Sequence, residues 1–461
     1  MTTHAVVTNP GSSTGASRLA VAAFAAISIA AGILCSTESP SVAFAAVALP
    51  TTLFLAVAHR YRAFAFVVPI MALTTLFGRD FAHLGVGPLY ALDIALVVLA
   101  ALALPEILAQ ARGAPGVSLV LLGLIALALA KVVLAGASAE ALRHSVLGIY
   151  ALWAFVGFAI VRLNLVSSVA KAIIWGGAVT AVPYALVVFY PANVFTSNVT
   201  PRYIGAAGSL YAAYFLLGLL FAPQLAPRRK PVLLCLVAIA ILDIAAGEVR
   251  SVWVAIPIAL AVAVGVTRVD ARLIGRLGTL GVALIAGLAI ASVAAPTRVD
   301  ALATEATSIY NHGGATASDA NARWRVTAAQ DAISRIENHP AFGVSLDAPS
   351  AYHTNSDGTI STADIHNSFI DLVLRLGLVG GVCVLVFQLA VIQSARRIAR
   401  RAASDTSAAL ATWLLSCQLL TGVHALFTVV LEGPYMGLFY WMLGGVLIAM
   451  ACVRNGRDVQ A

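Results

Sequence analysis

The sequence predicts an all-α polytopic membrane protein, and three observations lead to this fold class. The 461 residues are 61% hydrophobic and only 10% charged, whereas soluble globular chains are roughly 45–50% apolar and about 25% charged. The apolar residues form long runs that lack the alternation of barrel strands. Because backbone groups in hydrocarbon must bond within their own segment, runs of this kind are helices.

Fourteen apolar runs approach the length of about 20 residues that a spanning helix needs. Several of the runs are short, so we expect twelve to fourteen transmembrane helices. The runs occupy residues 19–35, 41–58, 63–78, 90–109, 117–135, 143–161, 172–190, 205–223, 231–247, 251–267, 277–295, 367–393, 408–430 and 434–453. They divide the chain into a transmembrane region at 18–295, a polar loop domain at 296–365 and C-terminal transmembrane helices at 366–453.

The basic residues indicate how the chain is oriented. They concentrate in alternate connections and at the C-terminus, at Arg60, Arg62, Arg112, Arg162, Lys171, Arg228, Arg229, Lys230, Arg268, Arg272, Arg276, Arg396, Arg397, Arg400, Arg401, Arg454 and Arg457. Short basic loops stay in the cytoplasm. Both termini, a disordered tail at 1–17 and a short tail at 454–461, are therefore predicted to be cytoplasmic, and the 296–365 loop faces outward. We see no nucleic-acid-binding signature.

The outward loop predicts a surface helix over Ser318–Asn338. An apolar stripe at near-helical spacing is expected to pack against the membrane helices, formed by Trp324, Val326, Ala329, Ile333 and Ile336. Pro340 ends this helix, because its ring disfavours the helical conformation of the preceding residue. We expect a turn at Ala341–Val344 and irregular structure over Ser345–Thr362.

Four side chains on the predicted outer side suit phosphate binding and proton transfer: Arg202, Arg250, Arg325 and His366. Arginine presents a planar fork of donors that matches phosphate oxygens. A neutral imidazole, with an unperturbed pKa of about 6.5, can accept a proton from an attacking hydroxyl. Each residue alone also has a simpler explanation, since arginines at helix ends reach for lipid headgroups and interfacial histidines often make structural hydrogen bonds.

The residue types favour transfer from a lipid-linked phosphate or diphosphate without a cofactor. We find no acidic pair on the outer side to hold a divalent ion, so two or three arginines would replace it. The five cysteines, Cys35, Cys235, Cys383, Cys417 and Cys452, lie in or beside apolar runs and form no Cys-x-x-Cys pair. They predict neither a disulfide framework nor a thiolate metal site.

The motifs of the second half of the chain resemble those of the O-antigen ligase and O-antigen polymerase superfamily. The likeness rests on Ile365–Phe369 followed by Leu376–Gly381, and on Arg325 with the turn His339–Val344. Arg250–Ser251 also resembles a Ser-Arg turn of the family, with the two residues in the opposite order. The likeness extends from about residue 202 to the end of the chain. The sequence departs from the pattern at Ala328 or Ala329, where many relatives carry a tryptophan.

The resemblance implies a metal-independent, inverting membrane glycosyltransferase in the bacterial inner membrane. Its donor would be a glycan on undecaprenyl diphosphate at the periplasmic face, and its acceptor either lipid A–core, for a ligase, or a lipid-linked glycan, for a polymerase. By position, His366 would be the base or would orient the acceptor, and Arg250 and Arg325 would hold the diphosphate. Arg202 and Asn367 are further candidates for substrate binding.

Two other functions remain open at this point. A transporter or flippase of lipid-linked oligosaccharide or polysaccharide fits the helix count, although the chain shows no convincing internal repeat. Its candidate mid-membrane groups are Asp93, Asp243 and His424, of which the two aspartates are more simply explained by helix–helix hydrogen bonds. A scaffold of an export machine leaves the outer arginines unexplained. The sequence does not distinguish a ligase from a polymerase.

Overall fold

A computed structural model describes residues 60–86, 89–189, 206–225, 230–246, 250–266, 275, 278, 317–354, 360–363, 365–401 and 405–458. Its helices are α1 (Arg60–Phe64), α2 (Val67–Ala82), α3 (Ala91–Leu102), α4 (Leu104–Ala111), α5 (Pro115–Leu134), α6 (Ala139–Ile149), α7 (Leu152–Arg162), α8 (Val166–Phe189), α9 (Ala206–Phe221), α10 (Lys230–Ala246), α11 (Arg250–Val266), α12 (Ala317–Asn338), α13 (Ser368–Arg401), α14 (Asp405–Ala425) and α15 (Gly437–Asp458). The predicted tail at 1–17 and Arg202 lie outside the described residues.

Several helices are long and apolar enough to cross a membrane. Within the described ranges there are four, or six if each bent helix pair is one span. The four are Tyr61–Gly78, Pro115–Leu134, Ser368–Arg401 and Thr406–Ala425, and the bent pairs are α3 with α4 and α6 with α7. The predicted fold class, an all-α polytopic membrane protein, is confirmed. The count of twelve to fourteen spans stays a prediction, because the runs at 19–35 and 41–58 fall outside the described residues.

In the described ranges, two short antiparallel strand pairs accompany the helices. Strands β1 (Gly85–Val86) and β2 (Leu89–Tyr90) form the first pair, and β3 (Ala351–Thr354) and β4 (Ile360–Ala363) form the second. The prediction of irregular structure over Ser345–Thr362 was therefore wrong for this second pair. Its strands contain Tyr, Thr and Ile, which favour pleated backbone, and the Asp-Gly dipeptide between them is a common hairpin signal.

The bundle has two distinguishable ends. Helix α15 packs against α7, α13 and α14 around three fully buried tryptophans, Trp153, Trp413 and Trp441. At one end, called here the His366 end, α13 and α15 begin and α5 and α14 finish. At the other end, the Gln110 side-chain amide donates to the carbonyl of Ala449 over 3.4 Å. The basic residues after α4 and at the end of α13 therefore lie opposite His366.

The surface helix forms as predicted, as α12, but its buried face differs from the predicted stripe. Trp324, Ala328, Ala332 and Ile336 recur once per turn and pack with Ile365 and Leu374 in one small apolar cluster. Val326 and Ile333, which were predicted to be buried, are instead 57% and 47% exposed. The two alanines explain the difference, because small side chains at consecutive turns allow the helix backbone to approach α13 closely.

Candidate functional site

The start of α13 fixes the position of His366. Asn367 caps this helix, since its side-chain oxygen accepts hydrogen bonds from the backbone amides of Phe369 and Ile370, both at 3.1 Å. Asn is among the strongest N-cap residues, because its side chain satisfies amides that the helix leaves open. Asn367, proposed from sequence as a substrate-binding residue, therefore has a structural task that orients the neighbouring His366.

Ser368 joins the start of α13 to the turn Leu426–Met436, between α14 and α15. Its hydroxyl oxygen accepts from the amides of Val430, at 2.7 Å, and Leu431, at 3.1 Å. It donates to the Glu432 carboxylate over 2.6 Å, and lies 3.2 Å from the Thr428 carbonyl. Ser368 is fully buried. The Glu432 carboxylate is therefore bonded to the side chain of Ser368, two residues after His366.

The surface helix supplies two more side chains at the same place. The indole of Trp324 meets the imidazole of His366 edge to face, with ring centroids 5.5 Å apart and planes at 76°. The next residue, Arg325, is exposed and donates from Nη1 to the Phe427 carbonyl over 3.4 Å. Trp324, Arg325, His366, Ser368 and the Leu426–Met436 turn thus form one unit, called here the His366 corner.

Arg250, the third predicted site residue, begins α11 at the same end of the bundle. Two contacts establish this placement. The Tyr211 hydroxyl, near the start of α9, donates to the Tyr435 carbonyl over 2.6 Å, and Ser209 beside it reaches the backbone oxygen of Asp243 over 3.5 Å. The end of α10 and the start of α11 are therefore at the His366 end. The side chain of Arg250 lies outside the described part of the chain.

A second polar unit, next to the His366 corner, locks the loop to a break in α13. The helix breaks at Gly377, whose φ of 67° and ψ of −173° only glycine adopts readily. The predicted turn Ala341–Val344 is present and inserts into this break. The amide of Val344 donates to the Leu374 carbonyl over 2.7 Å, and that of Leu378 to the Pro340 carbonyl over 2.8 Å.

Lys131, near the end of α5, bonds both the inserted loop and α13 at the break. Its ammonium group donates to the carbonyls of Phe342 (2.5 Å), Val344 (2.6 Å) and Arg375. These three bonds match the three donors of an ammonium group. The side chain is buried, so its charge is held by carbonyl dipoles of the loop and of α13 together.

Arg375 completes this second unit and is fully buried. Its Nε bonds both carboxylate oxygens of Asp371, at 3.0 and 3.1 Å. Its Nη1 donates to the carbonyls of Leu346, at 3.0 Å, and Ala348, at 3.1 Å, and its Nη2 to the Ser350 hydroxyl. The unit formed by Lys131, Asp371, Arg375, Gly377 and the loop 340–350 is called here the junction.

Sequence reasoning missed most of these contacts. Lys131 and Arg375 were not among the predicted site residues. The predicted run 408–430 also extended through Leu426 to Val430, where the structure has a turn. Those five residues are mostly apolar and so gave no sign that α14 ends at Ala425. Glu432, ahead of Gly433-Pro434, was the available signal: a carboxylate followed by two turn-forming residues between apolar runs.

The mid-membrane groups of the transporter alternative are partly accounted for. Asp93 accepts hydrogen bonds from the backbone amide of Tyr90 over 2.8 Å and from the Tyr150 hydroxyl over 2.7 Å. The expected helix–helix hydrogen bond of Asp93 is thereby confirmed. Among the described residues, no group of three or more His, Cys, Asp or Glu side chains is arranged to hold a metal ion.

Comparison with known proteins adds one finding. Residues 234–385 match the family model described as O-antigen ligase. This segment is an O-antigen ligase family domain. The match runs from α10 to the middle of α13 and so includes Arg250, Trp324, Arg325, His366 and Gly377. The resemblance to the O-antigen ligase and polymerase superfamily that the motifs predicted is confirmed. No curated protein matches the chain.

The match to the O-antigen ligase model agrees with the architecture as well as with the motifs. An O-antigen ligase domain within a polytopic membrane protein indicates a membrane glycosyltransferase of the ligase or polymerase type. Trp324 is one helical turn before Ala328, where the sequence departs from the family pattern. Trp324 places an indole against His366, and Ala328 is buried against α13. This chain has alanine at 328 or 329, where many relatives carry a tryptophan, but Trp324, about one turn earlier, still places an aromatic ring beside the histidine.

Proposed function

We propose that this protein transfers a glycan from undecaprenyl diphosphate to a sugar hydroxyl of an acceptor at the periplasmic face of the bacterial inner membrane. The acceptor is lipid A–core if the protein is a ligase, or another lipid-linked glycan if it is a polymerase. The observation that carries this proposal is the meeting of Arg325 and His366 at one corner of the bundle. A group that binds phosphate and a group that accepts a proton are the two requirements of such a transfer.

In this mechanism the acceptor oxygen attacks the anomeric carbon of the donor sugar. The bond between that carbon and the phosphate oxygen breaks, and undecaprenyl diphosphate leaves with the electron pair. The imidazole of His366 accepts the hydroxyl proton as the new glycosidic bond forms. Attack from the face opposite the leaving group inverts the anomeric centre. His366 is partly accessible, whereas the neighbouring Ser368 is buried.

Arginines stabilise the departing diphosphate in this proposal, in place of a divalent ion. Arg325 is exposed and is held near the Phe427 carbonyl. A guanidinium keeps its charge at any physiological pH and offers paired donors to phosphate oxygens. Arg250 is the second candidate, because its helix begins at the same end of the bundle, and Arg202 is the third, on the sequence motif alone. Charge placed where negative charge develops lowers the barrier of the transfer step.

The test is glycan transfer by the purified chain in liposomes that contain the lipid-linked donor and the acceptor. His366→Ala should reduce the transfer rate by about 100-fold or more, the usual contribution of a general base. His339→Ala is the matched control, since His339 is an exposed histidine of the same loop, and it should transfer at the wild-type rate. Wild-type transfer by a well-folded His366→Ala variant would remove His366 from the mechanism.

The arginine role needs its own variant. Arg325→Lys keeps the charge but loses the fork, and we expect transfer to fall about tenfold. Arg396→Lys, an exposed arginine at the opposite end, should have no effect. Equal transfer by both variants would show that Arg325 does not hold the diphosphate.

A deletion strain separates the two acceptors. Loss of glycan from lipopolysaccharide, with long chains still on the carrier lipid, identifies a ligase. Accumulation of single repeat units on the carrier identifies a polymerase. Complementation with His366→Ala should reproduce the deletion phenotype in either case.

A further inference from the structure

A cluster of aromatic rings and one arginine lies at the His366 end, beside the His366 corner. The rings of His83 and Tyr90 stack, with centroids 4.8 Å apart and planes at 15°. The ring of Tyr435 meets that of His83 at a steep angle, with centroids 5.7 Å apart. The guanidinium carbon of Arg143 is 5.5 Å from the centre of the Tyr90 ring. His83, Tyr90, Arg143 and Tyr435 are called here the aromatic cluster.

The surrounding helices hold this cluster in place. The Tyr90 amide is bonded to the Asp93 carboxylate, and the Tyr150 hydroxyl bonds the other oxygen of that carboxylate. The Tyr435 carbonyl accepts from the Tyr211 hydroxyl over 2.6 Å. Because Asp93 and Tyr211 belong to different helices, the rings are fixed from both sides.

Arg143 is the charged member of the cluster, and it is exposed. Its Nη1 donates to the Tyr90 hydroxyl. In the part of the chain that the structure describes, this bond occupies one of the five N–H donors of the guanidinium. The ring below and the hydroxyl beside it limit the rotamers of the side chain, so a ligand that binds the other donors orders little further structure.

The Leu426–Met436 turn connects the aromatic cluster to the His366 corner. Phe427, near the beginning of the turn, accepts from Arg325. Glu432, in its middle, accepts from Ser368 beside His366. Tyr435, near its end, contacts His83. One short turn therefore contacts Arg325, the start of α13 beside His366 and the aromatic cluster.

We infer that the aromatic cluster binds the acceptor, and that Arg143 binds a phosphate group on the acceptor saccharide. This inference rests on the proposed function, because it needs a donor side at Arg325 and a base at His366. A guanidinium that is fixed over a ring and exposed at its edge suits bidentate binding of a phosphate. The acceptor class is therefore a phosphorylated saccharide, and the phospholipid headgroup is the competing source of the same phosphate chemistry.

The test is equilibrium binding of radiolabelled lipid A–core to the full chain in detergent. Arg143→Gln should weaken binding about tenfold, the loss expected for one charge-assisted contact. Phosphatase-treated lipid A–core should bind the wild type and Arg143→Gln equally. Tyr90→Phe, which removes only the hydroxyl that orients Arg143, should weaken binding by a smaller factor. Arg112→Gln, an exposed arginine at the opposite end, is the matched control and should bind like the wild type.

The outcomes separate this inference from the proposed function. His366→Ala should abolish transfer and leave binding of lipid A–core unchanged. Equal binding of intact lipid A–core by wild type and Arg143→Gln would overturn the acceptor role of Arg143 and leave the transfer mechanism standing. Displacement of lipid A–core from the wild type, but not from Arg143→Gln, by equimolar phosphatidylglycerol would assign Arg143 to lipid headgroups instead, and would also overturn the inference.

Discussion

The junction and the His366 corner lie side by side at one end of the bundle, yet their charged groups are held differently. In the junction, Lys131, Asp371 and Arg375 are buried, and each makes several hydrogen bonds to loop or helix backbone or to each other. In the His366 corner, Arg325 is exposed and His366 is partly accessible. The two units use similar residue types in opposite environments.

The difference separates charges that maintain the structure from those that the proposed function assigns to the substrate. A buried charge is tolerated only when hydrogen bonds replace its hydration, so its donors are already occupied. The junction therefore fixes the loop to α13 and, through the loop, the surface helix that carries Trp324 and Arg325. Arg325 and His366 are at least partly accessible, so a substrate could approach them. Substitutions in the junction should reduce stability, whereas those in the corner should reduce transfer.

The largest effect is expected from Arg375→Met in the junction. This change leaves the Asp371 carboxylate buried without its cation, and it removes the donors to three groups of the loop at 346–350. Breaking a buried pair from one side costs about 3–5 kcal/mol of unfolding free energy. Thermal unfolding in detergent, followed by tryptophan fluorescence, measures the loss.

The double variant Asp371→Leu with Arg375→Met tests the reason for that loss. Removal of both charges should recover part of the stability, since no unpaired carboxylate remains. The recovery should be incomplete, because the Ala348 carbonyl and the Ser350 hydroxyl still lack the Arg375 donors. Full stability in the single variant Arg375→Met would contradict the structural role of the junction.

The corner was easier to predict from sequence than the junction. His366, Arg325 and the surface helix were found because short motifs and helical periodicity are local signals. The surface helix begins at Ala317 and ends at Asn338, within one residue of its predicted bounds. The junction instead depends on backbone carbonyls more than 200 residues away from Lys131 in the chain. Carbonyl groups are the same in every residue, so the sequence carries no sign of which ones a lysine meets.

The buried face of the surface helix shows a second limit. Val326 and Ile333 were predicted to be buried because they are apolar, but the structure buries Ala328 and Ala332 instead. Which side of a helix is buried depends on how closely the neighbouring element can approach, and small residues permit the closest approach. Hydrophobicity alone therefore predicted the existence of the helix correctly and its orientation only in part.

Gly377→Ala should have the next largest effect, because the break in α13 receives the loop turn there. A Cβ at this position would lie 2.1 Å from the Ala341 carbonyl oxygen, and the φ of 67° is itself unfavourable for alanine. We expect a loss of about 2–4 kcal/mol in unfolding free energy. Gly123→Ala is the matched control, since no atom lies within 4 Å of a Cβ there. Equal stability of both variants would mean that the loop does not occupy the break.

Lys131→Met should destabilise the protein by a smaller amount. Methionine keeps much of the side-chain volume but removes the donors to Phe342, Val344 and Arg375. Hydrogen bonds to charged groups contribute about 1.5–3 kcal/mol, and the loop amides still hold the turn in place. Thermal unfolding should detect the change, and Lys171→Met, at an exposed position on α8, should not shift the midpoint. Loss of transfer without loss of stability in Lys131→Met would place Lys131 with the corner rather than the junction.

Ser368→Ala should have the smallest effect on stability and a distinct effect on transfer, because Ser368 is the buried member of the His366 corner that holds its turn. Its hydroxyl accepts from the amides of Val430 and Leu431 and donates to Glu432, so its removal costs about 1–2 kcal/mol. The freed turn would no longer hold Glu432 near His366, and transfer should fall more than this stability loss explains. Ser416→Ala, another buried serine whose hydroxyl bonds the Thr412 carbonyl one turn earlier, is the control for the loss of a hydroxyl alone. If both variants transfer at the same rate per folded molecule, the turn does not position His366.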